Sequence, residues 1–108
     1  MQIDIRVQQA AFDAVAMQQR LTARRRDIGA LVSFTGLVRD INERPDVEAL
    51  TLEHFPGMTE QALEAIARDA GARWPLTGVG VVHRVGRLTP GDPIVLVMVT
   101  SAHRRAAF

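Results

Sequence analysis

Apolar and polar residues alternate at Ile3, Ile5 and Val7, which predicts a half-buried strand at the start of the chain. Phe12, Val15 and Ala16 then share one helical stripe and predict a helix from Gln9 to Leu21. Arg24, Arg25 and Arg26 follow it, where positive charge suits the negative end of the helix dipole. Ile28 to Val38 is apolar and β-branched, a long strand with a bulge or close backbone approach near Gly36. The polar, proline-interrupted stretch Asp40 to Asp46 reads as an exposed loop. Val47 to Phe55 reads as the next strand, with Leu50 and Leu52 on one face.

Pro56-Gly57 breaks that strand, and Thr59 is the expected N-cap of a helix running to about Arg73. Ala62, Leu63, Ile66, Ala67 and Ala70 form its apolar stripe. Glu64 with Arg68 and Asp69 with Arg73 make i,i+4 pairs on the wet side. Trp74-Pro75 stops the helix, with Trp74 expected as a core anchor. Val79 to Val85 and Ile94 to Thr100 read as a hairpin joined through Pro90-Gly91. The unbroken apolar run Ile94 to Val99 implies a central strand covered on both faces. The order β-α-β-β-α-β-β, followed by the start of a helix, defines an α+β domain spanning 1–108, with helices packed on a mixed or antiparallel sheet.

Hydrophobic residues make up 47% of the chain and charged residues 23%, a globular balance. No apolar run reaches the ~20 residues of a membrane span and the N-terminus lacks the pattern of a secretory signal, so a cytoplasmic protein with no membrane partner is expected. With no cysteine there is no thiolate metal site and no cysteine nucleophile, and His54, His83 and His103 are too scattered to read as a metal motif. All 13 basic residues are arginine. Arginine grips phosphate or carboxylate through paired hydrogen bonds but cannot serve as an amine base or nucleophile. Net charge is only +1 and aromatics are 5%, so nucleic acid is not the expected partner.

The chemistry concentrates at the end of the chain. In Thr100-Ser101-Ala102-His103-Arg104-Arg105, Ser101 is the expected N-cap of a helix whose first turn holds His103, Arg104 and Arg105. Cations there oppose the helix dipole, and a bound phosphate or carboxylate would reverse that penalty. The same pattern also fits three solvated side chains.

Several stretches together resemble the catalytic, larger subunit of molybdopterin synthase: Phe34-Thr35-Gly36-Leu37-Val38-Arg39, Leu50 to Met58, Val82-His83-Arg84-Val85-Gly86, Pro90-Gly91-Asp92 and Thr100 to Arg104. The likeness runs from Gly29 to Phe108. It implies a sulfurtransferase of molybdenum cofactor biosynthesis that converts cyclic pyranopterin monophosphate to molybdopterin. The implied sulfur donor is a small ubiquitin-like subunit with a Gly-Gly thiocarboxylate tail, bound to a central homodimer of larger subunits in a heterotetramer. It also implies that the larger subunit uses no cofactor or metal. By the same resemblance, Phe34, Arg39, His103 and Arg104 bind substrate. Arg39 and Arg104 hold its phosphate or the tail carboxylate, and His103 positions the substrate or moves a proton.

Other matching residues call for plainer roles. Glu53 and His54, at a strand end before a tight turn, are expected to make structural hydrogen bonds. His83 and Arg84 alternate on a strand, so one points inward or to a partner and the other to solvent. Arg105 reads as surface charge. The family continues beyond this point with lysines used in sulfur transfer, whereas this sequence holds no lysine. A fragment, a truncated form or a divergent form that converts little or no substrate alone is therefore expected, and the alternative is a non-catalytic domain that binds a small anion.

Overall fold

The computed structural model describes residues 1–39, 50–52 and 57–108. Strand β1 (Gln2–Gln8) leads into helix α1 (Ala14–Thr22), then β2 (Ala30–Leu37), β3 (Leu50–Leu52), helix α2 (Met58–Arg73), β4 (Leu76–Arg84), β5 (Gly86–Leu88), β6 (Pro93–Ser101) and a last helical turn α3 (Arg104–Ala107). Four strands form a sheet in the order β1-β4-β6-β2, and β3 pairs with β5 in a separate ribbon. β1 runs parallel to β4, while β4 with β6 and β6 with β2 are antiparallel, so the sheet is mixed. The expected hairpin is present, and β6 is an inner strand. Its Pro90-Gly91 corner carries the type II signature: Asp92 N–H donates to Thr89 O at 2.9 Å and Gly91 has φ 92. β5 is an addition to the expected order, set off by Gly86 at φ 87.

The two helices cover opposite faces. Met17 and Leu21 of α1 pack on Val82, Leu96 and Met98, with Phe12, Ala14 and Leu31 around them. A flat floor allows this approach: a Cβ at Gly80 would stand 2.5 Å from Met17 Sδ, and one at Gly78 would stand 3.3 Å from Leu21 Cδ2. On the other face Ala67 of α2 meets Val79 and Val81, flanked by Ile3, Ile5, Leu63, Leu76 and Val97. Because strand side chains alternate, β4 and β6 feed both cores, each fully buried aliphatic contributing roughly 1.5–3 kcal/mol.

Several boundaries differ from the sequence expectations. Helix α1 begins at Ala14, not Gln9, because the Asp13 carboxylate caps it by accepting the N–H groups of Val15 and Ala16. Gln8 holds the preceding carbonyls of Ala10 and Ala11 outside the helix. The arginine triplet lies past the C-cap Ala23: Arg24 adopts φ 59, and Arg25 pairs with Asp27 and donates to Thr77 O. Helix α2 is capped by Gly57, not Thr59. Gly57 takes φ 83, and its N–H donates to the Glu60 carboxylate at 3.0 Å. The two i,i+4 ion pairs of α2 form as expected, at 2.7 and 3.0 Å.

The second helix buries less than its pattern implies. Ile66 remains 66% exposed and Ala62 is also exposed, while Leu63 and Ala67 pack against the sheet; Ile66 stands at the wall of an open groove beside β6. Trp74 is 51% exposed and is not a core anchor; the chain turns extended there before Pro75 and carries the indole off the packed face. β6 is fully covered only where Leu96, Met98 and Thr100 face α1. Val95, Val97 and Val99 line an apolar groove of about 250 Å³ beside α2. The bulge expected near Gly36 is present as a register shift between Gly36 and Leu37. The Asp40 to Asp46 loop, Glu53 and His54 lie outside the described residues, as do the side chains of Leu50 and Leu52.

Candidate functional site

Bonding partners sort the arginines. Arg6 and Arg20 both donate to Asp4, at 2.8 and 2.9 Å, tying β1 to α1. Burial pushes the Asp4 carboxyl up, but hydrogen bonds and charge from Arg6 and Arg20 outweigh it and hold the group below its ordinary value. Arg25, Arg68 and Arg73 pair with carboxylates. Arg84 donates to the carbonyls of Gln9 and Pro93, which closes the end of the β4–β6 hairpin. Among the described residues, Arg24, Arg26, Arg39, Arg87, Arg104 and Arg105 have no such partner, nor does the His103 imidazole.

His103, Arg104 and Arg105 follow β6 directly and are exposed. Ser101 does not cap the helix, because it stays in the ladder opposite Ala30. Its hydroxyl accepts the His103 N–H at 3.1 Å and donates to the His103 carbonyl at 2.7 Å. That clamp holds His103 in extended geometry as the N-cap, so α3 starts at Arg104. A close passage locks the same corner: Gly29 N–H donates to Ser101 O at 2.9 Å, and a Cβ on Gly29 would lie 2.1 Å from Ala102 O. Arg105 is exposed, as surface charge would be, and rims a cavity of about 240 Å³ with Trp74, Leu76, Val99, Ala107 and Phe108.

Arg39 stands elsewhere. Ala30 is level with Ser101 at one end of the β2–β6 ladder and Leu37 is level with Pro93 at the other. Arg39, just past Leu37, is therefore separated from His103 and Arg104 by about 30 Å along the strands of one chain. Phe34 sits midway on β2, 60% exposed, opposite Val97 and so on the face that carries α2. One chain joins His103 to Arg104 but leaves Arg39 at the far end. His83 faces the α2 side with its Nδ1 buried and without a hydrogen-bond partner. Sequence reasoning also passed over the outer edge of β2, which has no strand partner among the described residues and whose signal is a strand with no charged residue.

These features define an α+β protein that presents a free guanidinium at one end of a strand pair and free guanidinium and imidazole groups at the other. The MoaE protein family matches residues 7–108, and the chain belongs to that family. It is 56% identical over 104 residues to the "Molybdopterin synthase catalytic subunit" of Pseudomonas aeruginosa, covering 96% of this chain and 69% of that protein. "Molybdopterin cofactor biosynthesis protein E" from Burkholderia multivorans superposes with TM-score 0.88 at 50% identity, over 100% of this chain and 70% of the other. A chain in the Helicobacter pylori complex of subunits 1 and 2 of molybdopterin-converting factor shares the fold at TM-score 0.75 and 20% identity, over 95% of this chain and 68% of that one. The chain spans 53–69% of the length of the curated relatives it matches. No helix among the described residues is long and apolar enough to cross a membrane.

Proposed function

We propose that this chain is the substrate-holding part of a molybdopterin synthase catalytic subunit. In the whole enzyme, sulfur passes from the C-terminal thiocarboxylate of a small ubiquitin-like partner to cyclic pyranopterin monophosphate, and this part holds the substrate beside that tail. The observation that carries this reading is that the guanidiniums of Arg39 and Arg104 and the imidazole of His103 are exposed and unengaged among the described residues, while most arginines nearer the packed elements are bonded. Arg39 and Arg104 lie too far apart in one chain to grip one anion, so in this reading Arg39 of one copy and Arg104 of another form the guanidinium clamp, which suits a phosphate monoanion or a tail carboxylate. His103 orients the substrate or carries a proton, and Phe34 offers an aromatic wall for the pterin ring. The working assembly is a homodimer with one small subunit per copy, in the cytoplasm, and the reaction engages no metal or cofactor of this chain.

Residues 1–108 contain no lysine. By themselves they supply grip without an amine for transfer, so they bind substrate without turning it over. The test mixes this chain, and separately a full-length relative, with thiocarboxylated small subunit and cyclic pyranopterin monophosphate, measuring bound substrate and dithiolene product. Binding by both with product only from the relative supports the proposal. Absence of substrate binding by this chain refutes it.

A further inference from the structure

We propose that Asp92 is a positioning residue for Arg39: its carboxylate locks a turn whose bulge fixes the backbone of Val38, and through it the direction of the neighbouring guanidinium. This deepens the proposed function, which makes Arg39 a holder of the anionic guest. Arg39 is exposed and its side chain has no partner among the described residues, so contacts of its own do not aim it. Its backbone is held from across the sheet instead. The β2–β6 ladder slips between Gly36 and Leu37, and just past Leu37, which stands opposite Pro93, Val38 bonds two residues at once. Val38 N–H donates to Asp92 O at 2.9 Å, and Val38 O accepts from Gly91 N–H at 2.8 Å. Gly91 has φ 92, so Gly91 and Asp92 form the kind of bulge whose first residue is a left-handed glycine. Such bulges bend a strand and re-aim a side chain beside them, here that of Arg39.

The same glycine is the third residue of the Thr89–Asp92 turn, so turn and bulge keep their shape together. The Asp92 side chain closes that turn. Its Oδ2 accepts the Thr89 N–H at 2.8 Å and the Thr89 hydroxyl at 3.0 Å, while Asp92 N–H donates to Thr89 O at 2.9 Å. Leu88, just before the turn, is 1% exposed and Val38 is 8% exposed, so this corner is anchored in packed apolar residues and Arg39 emerges from it into solvent. Charge alone would give Asp92 the opposite effect. A carboxylate beside an anion site repels the guest, and removing it would tighten binding if Coulomb interaction were its only influence. Positioning makes binding looser when the carboxylate is lost, so the sign of the change separates the two roles.

A double-mutant cycle on this chain tests the assignment, with binding of cyclic pyranopterin monophosphate followed by NMR titration, which reaches millimolar dissociation constants. Asp92→Ala is expected to weaken binding about tenfold when Arg39 is present and less than about twofold in the Arg39→Ala background, because the loss travels through that guanidinium. Asp92→Asn keeps an oxygen for the Thr89 N–H and is expected to recover most of the affinity. Thr89→Val removes only the hydroxyl half of the clamp and is expected to give a smaller loss with the same dependence on Arg39, which serves if Asp92→Ala does not fold by circular dichroism. Exchange of the Val38 amide proton should quicken at least about tenfold in Asp92→Ala, while that of Val97, on an inner strand, stays unchanged. Equal weakening in both backgrounds, unchanged or tighter binding, or an unmoved Val38 proton overturns the positioning role and leaves the proposed function standing. An unsubstituted chain that does not bind cyclic pyranopterin monophosphate removes both.

Discussion

Gly29→Ala joins the fold to the site in one atom. The added methyl would stand 2.1 Å from Ala102 O and 3.1 Å from Ala102 C, backbone atoms that no rotamer change can withdraw. An ordinary carbon–oxygen contact lies near 3.3 Å, so the strand end leading to His103 must retreat by about 1 Å or β2 must part from β6 there. Overpacking of this kind costs about 1–3 kcal/mol. In a domain of this size each 1 kcal/mol lowers Tm by roughly 4–8 °C, so a loss near 2 kcal/mol moves the melting point down by about 8–16 °C. Because the displaced segment carries His103 and Arg104, binding of cyclic pyranopterin monophosphate is expected to weaken more than stability alone explains, by up to about 100-fold. Thermal melts by circular dichroism and calorimetric titration at a temperature where the variant is folded measure the two effects. Gly71→Ala is the control: its methyl meets only the thioether end of Met1, a half-exposed side chain at the terminus. Relief of a helical glycine should then leave stability unchanged or raise it by up to about 1 kcal/mol. A Gly29→Ala variant melting within about 2 °C of the parent chain would refute the close passage.

Further outcomes follow from other parts of the molecule. Asp4→Asn removes a carboxylate with two guanidinium partners and only 15% side-chain exposure, and is expected to cost about 1–2 kcal/mol in urea unfolding at neutral pH after discounting for the half-exposed arginines. The folded carboxyl sits below its ordinary value, so its stabilisation is present above about pH 4 and is lost as pH falls through the folded value. Asp4→Asn should lose that acid-dependent portion, and an unchanged acid limb in urea titrations would count against the network. Asp92 is held low chiefly by the Thr89 backbone N–H, then by its hydroxyl, and Asp92→Asn should likewise flatten part of the same acid limb. Met17→Ala, at a position with no solvent exposure, should cost about 2–5 kcal/mol by thermal or urea unfolding, and less than about 1 kcal/mol would contradict the packing of α1 on Gly80.

The pattern in the chain was most readable where one force dominates. The β6 run Ile94 to Val99, the Pro90-Gly91 turn and the ion pairs of α2 follow from local chemistry and are found in place. What was not readable depends on geometry between elements. Ile66 belongs to an apolar stripe, yet the groove it lines beside β6 stays open and leaves it in solvent; Trp74 is large and apolar, yet an extended bend carries it off the core. Gly78 and Gly80 alternate with Val79 and Val81, a signal that one face must be flat for a helix, but its meaning emerges only with α1 laid over them. For the candidate site, the residue types were legible as anion-holding groups and their distribution was not. Ser101 resembles an N-cap in sequence, and only its pairing with Ala30 shows why the helix begins three residues later. The distance between Arg39 and His103 is likewise set by strand order, which the string of residues does not display.

The central claim is that Arg39, His103 and Arg104 clasp one anionic guest, with Arg39 contributed by one copy and the His-Arg pair by the other. Co-expression of Arg39→Ala and His103→Ala chains carrying different tags, followed by calorimetric titration with cyclic pyranopterin monophosphate, tests it directly. Each variant alone is expected to bind poorly, whereas random pairing restores about one quarter of the sites at near-original affinity, because each mixed dimer keeps one intact Arg39–His103 combination. Mixed preparations that bind no better than either variant alone would contradict the claim.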